Sequence, residues 1–195
     1  VGKSSGVFCT AGREKRKTMS YFQGLGATPG HKLPPEQLQR VVKALVELNK
    51  TTQEVVDKYV EQTPILSRAT VREEWAEPFK ESVQSDVVRL ITPTRSGFYV
   101  WEARPQVLAN LANSIDSQIQ DMTMYRQELL YVSGNLRKLA DSIITFAKEG
   151  ALELTKEGLD LLEKSLAEAA KKPIGAVVAF GSIAIAVGIL YLIKK

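Results

Sequence analysis

The apolar positions of this chain recur with helical periods almost from end to end. Between residues 34 and 62, Leu38, Val41, Leu45, Leu48, Val55 and Tyr59 form a stripe at steps of three, four and seven, broken only at Thr52. Pro34 and Pro35 stand where a missing N–H costs a helix nothing, and Pro64 stands where one must stop. A second amphipathic stretch, residues 71–91, is interrupted by Pro78 and offers Trp75, Phe79, Val83, Val87 and Leu90 to a core. Residues 34–91 thus read as amphipathic helices.

The longest pattern runs through residues 106–149, which contain no proline. Leu108, Leu111, Ile115, Gln118, Met122, Tyr125, Leu129, Val132, Leu136, Leu139, Ile143 and Phe146 occupy successive a and d positions, and Gln118 alone among them is not apolar. Such a seam predicts either a coiled coil or a long hairpin packed against the 34–62 helix, whose stripe has the same period. At Gly150 the phase jumps, and residues 150–172 bring a new stripe of Leu152, Thr155, Leu159, Leu162, Leu166 and Ala169. Its outer face carries Glu153, Glu157, Asp160, Glu163 and Glu168 against Lys156 and Lys164, which suits packing on protein better than lying on anionic lipid. Residues 174–193 are twenty without a charge, about 30 Å of helix, within a 173–195 segment read as a membrane anchor. Gly175 with Ala179, and Ala184 with Gly188, would let another membrane helix approach closely. The expected fold is therefore all-α: a long helical hairpin or coiled coil with a C-terminal single-pass transmembrane helix.

Charge changes the picture at one end only. The chain of 195 residues has 26 Lys and Arg against 22 Asp and Glu, but residues 1–32 hold six of the basic residues and one acid. The remaining 163 carry 20 basic and 21 acidic residues, so the folded body offers no basic face to nucleic acid. Residues 1–33 hold six of thirteen glycines and read as a flexible basic leader or tail. Gly2-Lys3-Ser4 lacks the strand and earlier glycine of a phosphate loop, and Gly24-Leu25-Gly26 with Gly30 misses dinucleotide spacing.

Candidate chemistry is sparse. One histidine, His31, and one cysteine, Cys9, leave little for a metal site, a thiol framework or a proton relay, so no enzyme activity, cofactor or metal is expected. Residues 92–105 are a turn with the densest aromatic cluster of the chain. Arg95, Phe98, Tyr99, Trp101 and Arg104 are the candidate partner-binding residues, because aromatics beside arginines dominate protein interfaces. The competing reading is a bent connector whose aromatics fill the end of a bundle.

Two resemblances bear on function. Val7-Phe8-Cys9 resembles the Val/Ile-x-Ala/Cys pattern of plastid stromal processing. With a short leader, a coiled-coil body and an anchor, the plan looks like that of the chloroplast-envelope carboxyltransferase interactors. The resemblance implies a membrane tether for the carboxyltransferase of acetyl-CoA carboxylase. A central glutamine layer near a tail anchor resembles a SNARE, although the layers end upstream at Arg104-Pro105 and 27 residues separate Phe146 from the anchor. The expectation is a non-catalytic, membrane-anchored helical scaffold or accessory subunit of a plastid thylakoid or inner-envelope complex, with its bulk on the stromal side. Its partners would be the lipid bilayer, other proteins of that complex and, through the seam, a second copy of itself.

Overall fold

The computed structural model describes residues 31–172, all of whose regular structure is helical. Helix α1 (Pro35–Gln62) has Pro34 and Pro35 at its start and ends at Thr63, whose Oγ1 donates to the Tyr59 carbonyl at 2.9 Å. A short α2 (Ile65–Val71) passes through a π turn (Arg72–Ala76) into α3 (Glu77–Ile91). The wide turn lies immediately ahead of Pro78: the Glu77 amide donates to the Arg72 carbonyl, five residues back. Pro78, which has no N–H to give, therefore widens the helix locally and does not break it. One turn of α4 (Val100–Ala103) leads to α5 (Gln106–Gln118), α6 (Arg126–Glu149) and α7 (Leu152–Lys171).

The five longer helices run alternately up and down, α1, α3, α5, α6, α7, with each packed on the next, and a parallel α7–α1 contact closes the ring. The core of this bundle comes from every one of them: Leu45 and Leu48, Phe79 and Val83, Leu108 and Ile115, Leu136 and Leu139, Leu159 and Leu162 are all buried. In α1 the buried positions include Val41, Ala44, Leu45, Leu48, Thr51, Thr52, Val55 and Val56, wider than a single seam because α1 touches α3 on one side and α7 on the other. Thr52 thus lies inside the core, and neither it nor Thr51 finds a hydroxyl partner.

Three expectations are corrected. The 106–149 segment is not one long helix: α5 stops at Gln118 and α6 starts at Arg126. Residues 119–125 reverse the chain, with Ile119 and Met122 buried in the turn and Tyr125 in left-handed backbone at φ 58°. The interruption is seven residues, one heptad, so the a and d count continues across it as if the helix were unbroken. The seam is consequently buried between antiparallel α5 and α6 and against the rest of the bundle. Second, among the described residues no helix is long and apolar enough to cross a membrane. The longest, α1 and α6, each bury one side and expose charged residues on the other, so the described residues form an all-α bundle without a spanning helix in place of the expected hairpin or coiled coil. The 173–195 segment, with Gly175, Ala179, Ala184 and Gly188, lies outside the described residues. Third, residues 31–33 belong to the bundle: Leu33 is buried, and the His31 ring meets Phe146 edge-on at 5.9 Å.

Helix ends are closed by side chains from neighbouring helices. The Trp101 indole N–H donates to the Leu90 carbonyl at the end of α3 (3.1 Å), and the Trp75 indole N–H to the Gln118 carbonyl at the end of α5 (2.8 Å). Lys58 Nζ reaches the Ala170 carbonyl at the end of α7 at 3.0 Å. Each satisfies a last-turn carbonyl that no intrahelical N–H can reach.

Candidate functional site

The segment that joins α3 to α5 is built around Trp101. Its side chain is fully buried, bonded to Leu90 as above, and stacked on Tyr99 with ring centroids 5.4 Å apart and an interplanar angle of 7°. The Tyr99 amide donates to Glu102 Oε2 at 2.7 Å and starts the single turn of α4. Upstream, the Gly97 amide bonds the Thr94 carbonyl and the Thr94 amide bonds the Phe98 carbonyl, both at 2.8 Å. Gly97 has φ +79°, where a side chain would be strained.

The aromatic and basic residues singled out by sequence therefore divide into two groups. Trp101, with Tyr99 half-buried against it, anchors the loop in the core. Phe98 is 45% exposed, and Arg95 and Arg104 are exposed with no side-chain bond among the described residues. Lys32 Nζ lies 5.0 Å from the Phe98 ring centroid, a cation–π contact that joins the N-terminal strap to this loop. Sequence reasoning missed Lys32 because it sits in a stretch without helical period; its only signal was a lone cation next to Leu33. The geometry gives a stiff loop, held from beneath by Trp101, that presents one aromatic ring and two guanidinium groups outward.

Elsewhere several ionisable groups are engaged between helices. Arg40 of α1 bonds Asp160 and Glu163 of α7 at 2.7 and 2.8 Å, and these bonds, Glu163 foremost, raise its pKa above the ordinary arginine value. Lys80 of α3 reaches Asp57 of α1 and Glu77, both at 2.8 Å. Burial pushes the Lys80 pKa down, but the hydrogen bonds to Asp57 and Glu77 together outweigh it, and the net direction is up. Arg137 of α6 pairs with Asp116 of α5 and donates to Asn113 Oδ1 at 2.9 Å, while Ser133 also bonds Asp116. Lys172 pairs with Glu128.

Among the described residues, one small cleft of about 130 Å³ lies between α3 and α5 and another of about 220 Å³ between α6 and α7. Both are below the usual size of a small-molecule pocket, roughly 300 Å³ or more. Among the described residues no group of three or more His, Cys, Asp and Glu is arranged to hold a metal ion. No protein family, curated protein or solved structure matches this chain.

Proposed function

We propose that this chain is a non-catalytic helical scaffold, an accessory subunit of a membrane-associated protein complex, and that the loop of residues 92–105 is where a protein partner docks. The observation that carries this reading is the division of labour in that loop. Trp101 ties it to the core, so Arg95, Phe98 and Arg104 stand exposed at little further cost in ordering. Arginine and aromatic residues on a preorganised support are the composition and setting of interface hot spots. The plastid and membrane parts of the reading rest on the amino-acid sequence of residues 1–30 and 173–195.

Capture of partners from native membranes in mild detergent tests the reading, with the full chain compared against the triple variant Arg95→Ala, Phe98→Ala, Arg104→Ala. A partner held through this loop is recovered in fixed ratio with the wild type and lost with the variant. Hot-spot truncations cost about 2 kcal/mol or more each, roughly thirtyfold in affinity. The thermal midpoint should fall by only a few degrees, since the loss is that of the exposed Lys32–Phe98 contact, about 0.5–1 kcal/mol, while Trp101 still holds the loop. Equal recovery by both proteins sinks the docking loop. A carboxyltransferase among the lost partners would single out the tether role. The fusion-protein alternative is disfavoured by the position of Gln118: it ends α5, half-buried, with Nε2 on Ser114 Oγ at 2.9 Å, and heads no continuous zipper.

A further inference from the structure

Among the described residues, the two large apolar side chains most open to solvent are consecutive: Ile65 at 80% and Leu66 at 97%. They open α2, no residue of which is buried, and Pro64 and Ala69 beside them are exposed as well. The tip is bonded into place. Arg68 Nη2 donates to the Glu61 carbonyl at 2.6 Å and to the Thr63 carbonyl at 3.3 Å, and the Thr63 hydroxyl closes the end of α1. Folding Ile65 and Leu66 back toward the core would break these bonds, so the pair is held outward by the fold itself. A contiguous apolar projection kept in position marks a contact surface.

Its place in the bundle indicates the occupant. Gln62 Nε2 donates to the Tyr125 hydroxyl at 2.8 Å, Lys58 bonds the Ala170 carbonyl, and Lys172 pairs with Glu128. These contacts put the end of α1, the 119–125 turn, the start of α6 and the end of α7 at one end of the bundle. The chain therefore leaves the described bundle, at Lys172, at the same end as Ile65 and Leu66. The sequence beyond it is uncharged from residue 174 to 193. Exposed cations at this end, Arg72, Arg126, Lys171 and Lys172, are offset by Glu61, Glu73, Glu74, Asp121 and Glu168. The surface thus offers apolar insertion without a strong field of either sign, which fits lipid of any headgroup charge.

We propose that Pro64, Ile65 and Leu66 seat this end of the bundle on a lipid bilayer, with the two side chains entering the boundary between headgroups and acyl chains. The proposal rests on the membrane-associated reading above and adds the surface and the orientation. It does not require residues 173–195 to cross the bilayer.

The test uses the full chain with Cys9→Ser, which removes the one native cysteine, and an environment-sensitive fluorophore on Leu66→Cys. A second protein carries the fluorophore on Ser96→Cys in the loop at the opposite end. Both are mixed with vesicles of phosphatidylcholine containing nitroxide-labelled lipid, and flotation measures binding separately. The expected result is a blue-shifted emission at position 66 and quenching several-fold stronger than at position 96, little altered by salt. If the protein fails to float with vesicles, the membrane-associated reading falls and the inference with it. If it floats while position 66 stays in water, only the inference is overturned. A blue shift that appears with native membranes but not with pure lipid would also overturn it, and would assign the tip to a protein groove. With the fluorophore moved to Ile65→Cys, Leu66→Asp, at an exposed position that should not disturb folding, should lose most of the blue shift and quenching, and an unchanged signal would overturn the inference.

Discussion

Two glycines within regular helix make opposite predictions from the same substitution. Gly134 lies in α6, and a Cβ built on it meets nothing within 4 Å. Gly134→Ala should therefore deliver only the helix-propensity gain, about 0.5–1 kcal/mol. For a protein of this size roughly 1 kcal/mol moves the thermal midpoint by about 2–4 °C, so a rise of about 1–4 °C is expected. Gly158 lies in α7 where that helix crosses α6. A Cβ there would stand 2.7 Å from Ser142 Oγ, 3.1 Å from Ser142 Cβ and 3.2 Å from the Leu139 Cα. The hydroxyl can rotate away, but the other two atoms are carried by the α6 backbone, so the helices must separate. Overpacking of this kind costs about 1–3 kcal/mol, which exceeds the propensity gain. Gly158→Ala should lower the midpoint by several degrees, and adding Ser142→Ala should restore part of the loss by removing the closest atom. Far-UV circular dichroism melts of the full chain read both substitutions. If Gly158→Ala were as stabilising as Gly134→Ala, α6 and α7 would not be in contact at this point and the α6–α7 packing described above would fail.

Leu136 is fully buried, so Leu136→Ala should cost about 2–5 kcal/mol in urea unfolding. Exposed Lys138→Ala should cost less than about 0.5 kcal/mol. Neither midpoint should change with protein concentration, since the seam is buried within one chain; a dependence on dilution would mean association through it. Trp101→Phe keeps most of the packing but leaves the last-turn carbonyl of Leu90 without its donor, a loss of about 1–3 kcal/mol that the same unfolding assay reads. The raised pKa of Lys80 contributes stability that is fully present below the unfolded lysine value, about 10.4, and is lost as pH rises through the higher folded value. The stability advantage of wild type over Lys80→Met should accordingly be flat through neutral pH and shrink in the alkaline range above that value, and an advantage unchanged there would refute the assignment.

Helix identity was legible in the amino-acid order because the apolar period is strong. The stripes of the first and last helices, the aromatic turn at residues 92–105 and the bend at Gly150 all fall where the patterns place them, with Gly150 closing α6 at φ 71°. What the pattern could not reveal was the reversal at residues 119–125. No glycine or proline marks it, Tyr125 adopts a left-handed conformation that its own residue type disfavours, and the turn is held by tertiary contacts. Gln62 bonds the Tyr125 hydroxyl, the Tyr59 hydroxyl bonds the Asp121 carbonyl at 3.4 Å, and Ile119 and Met122 are buried. Its length of one heptad then hid it from any count of a and d positions. In the aromatic loop, composition identified the residues but not their division. Whether a tryptophan faces out or in depends on whether its N–H finds a buried acceptor, and the Leu90 carbonyl is supplied by a different helix.

That reversal also determines where partners can act. A continuous helix from residue 106 to 149 would have left its apolar seam free for a second copy of the chain. Folding it back on itself spends the seam within one bundle, with inter-helix pairs such as Arg40 with Asp160 and Glu163 on its flanks. Single exposed apolar side chains such as Val46, Val88 and Tyr131 are scattered along the helices, whereas the two proposed contact surfaces lie at the ends: Phe98 between Arg95 and Arg104 at one, Ile65 and Leu66 at the other. Helix α6, 24 residues long, runs between those ends and measures about 36 Å at 1.5 Å per residue. With both proposals in place, the bundle acts as a rigid spacer that seats one end on lipid and holds a protein partner at the other, about a helix length above the membrane. Shortening the spacer while keeping both ends intact should preserve each binding event measured singly and disrupt only their simultaneous engagement in the assembled complex.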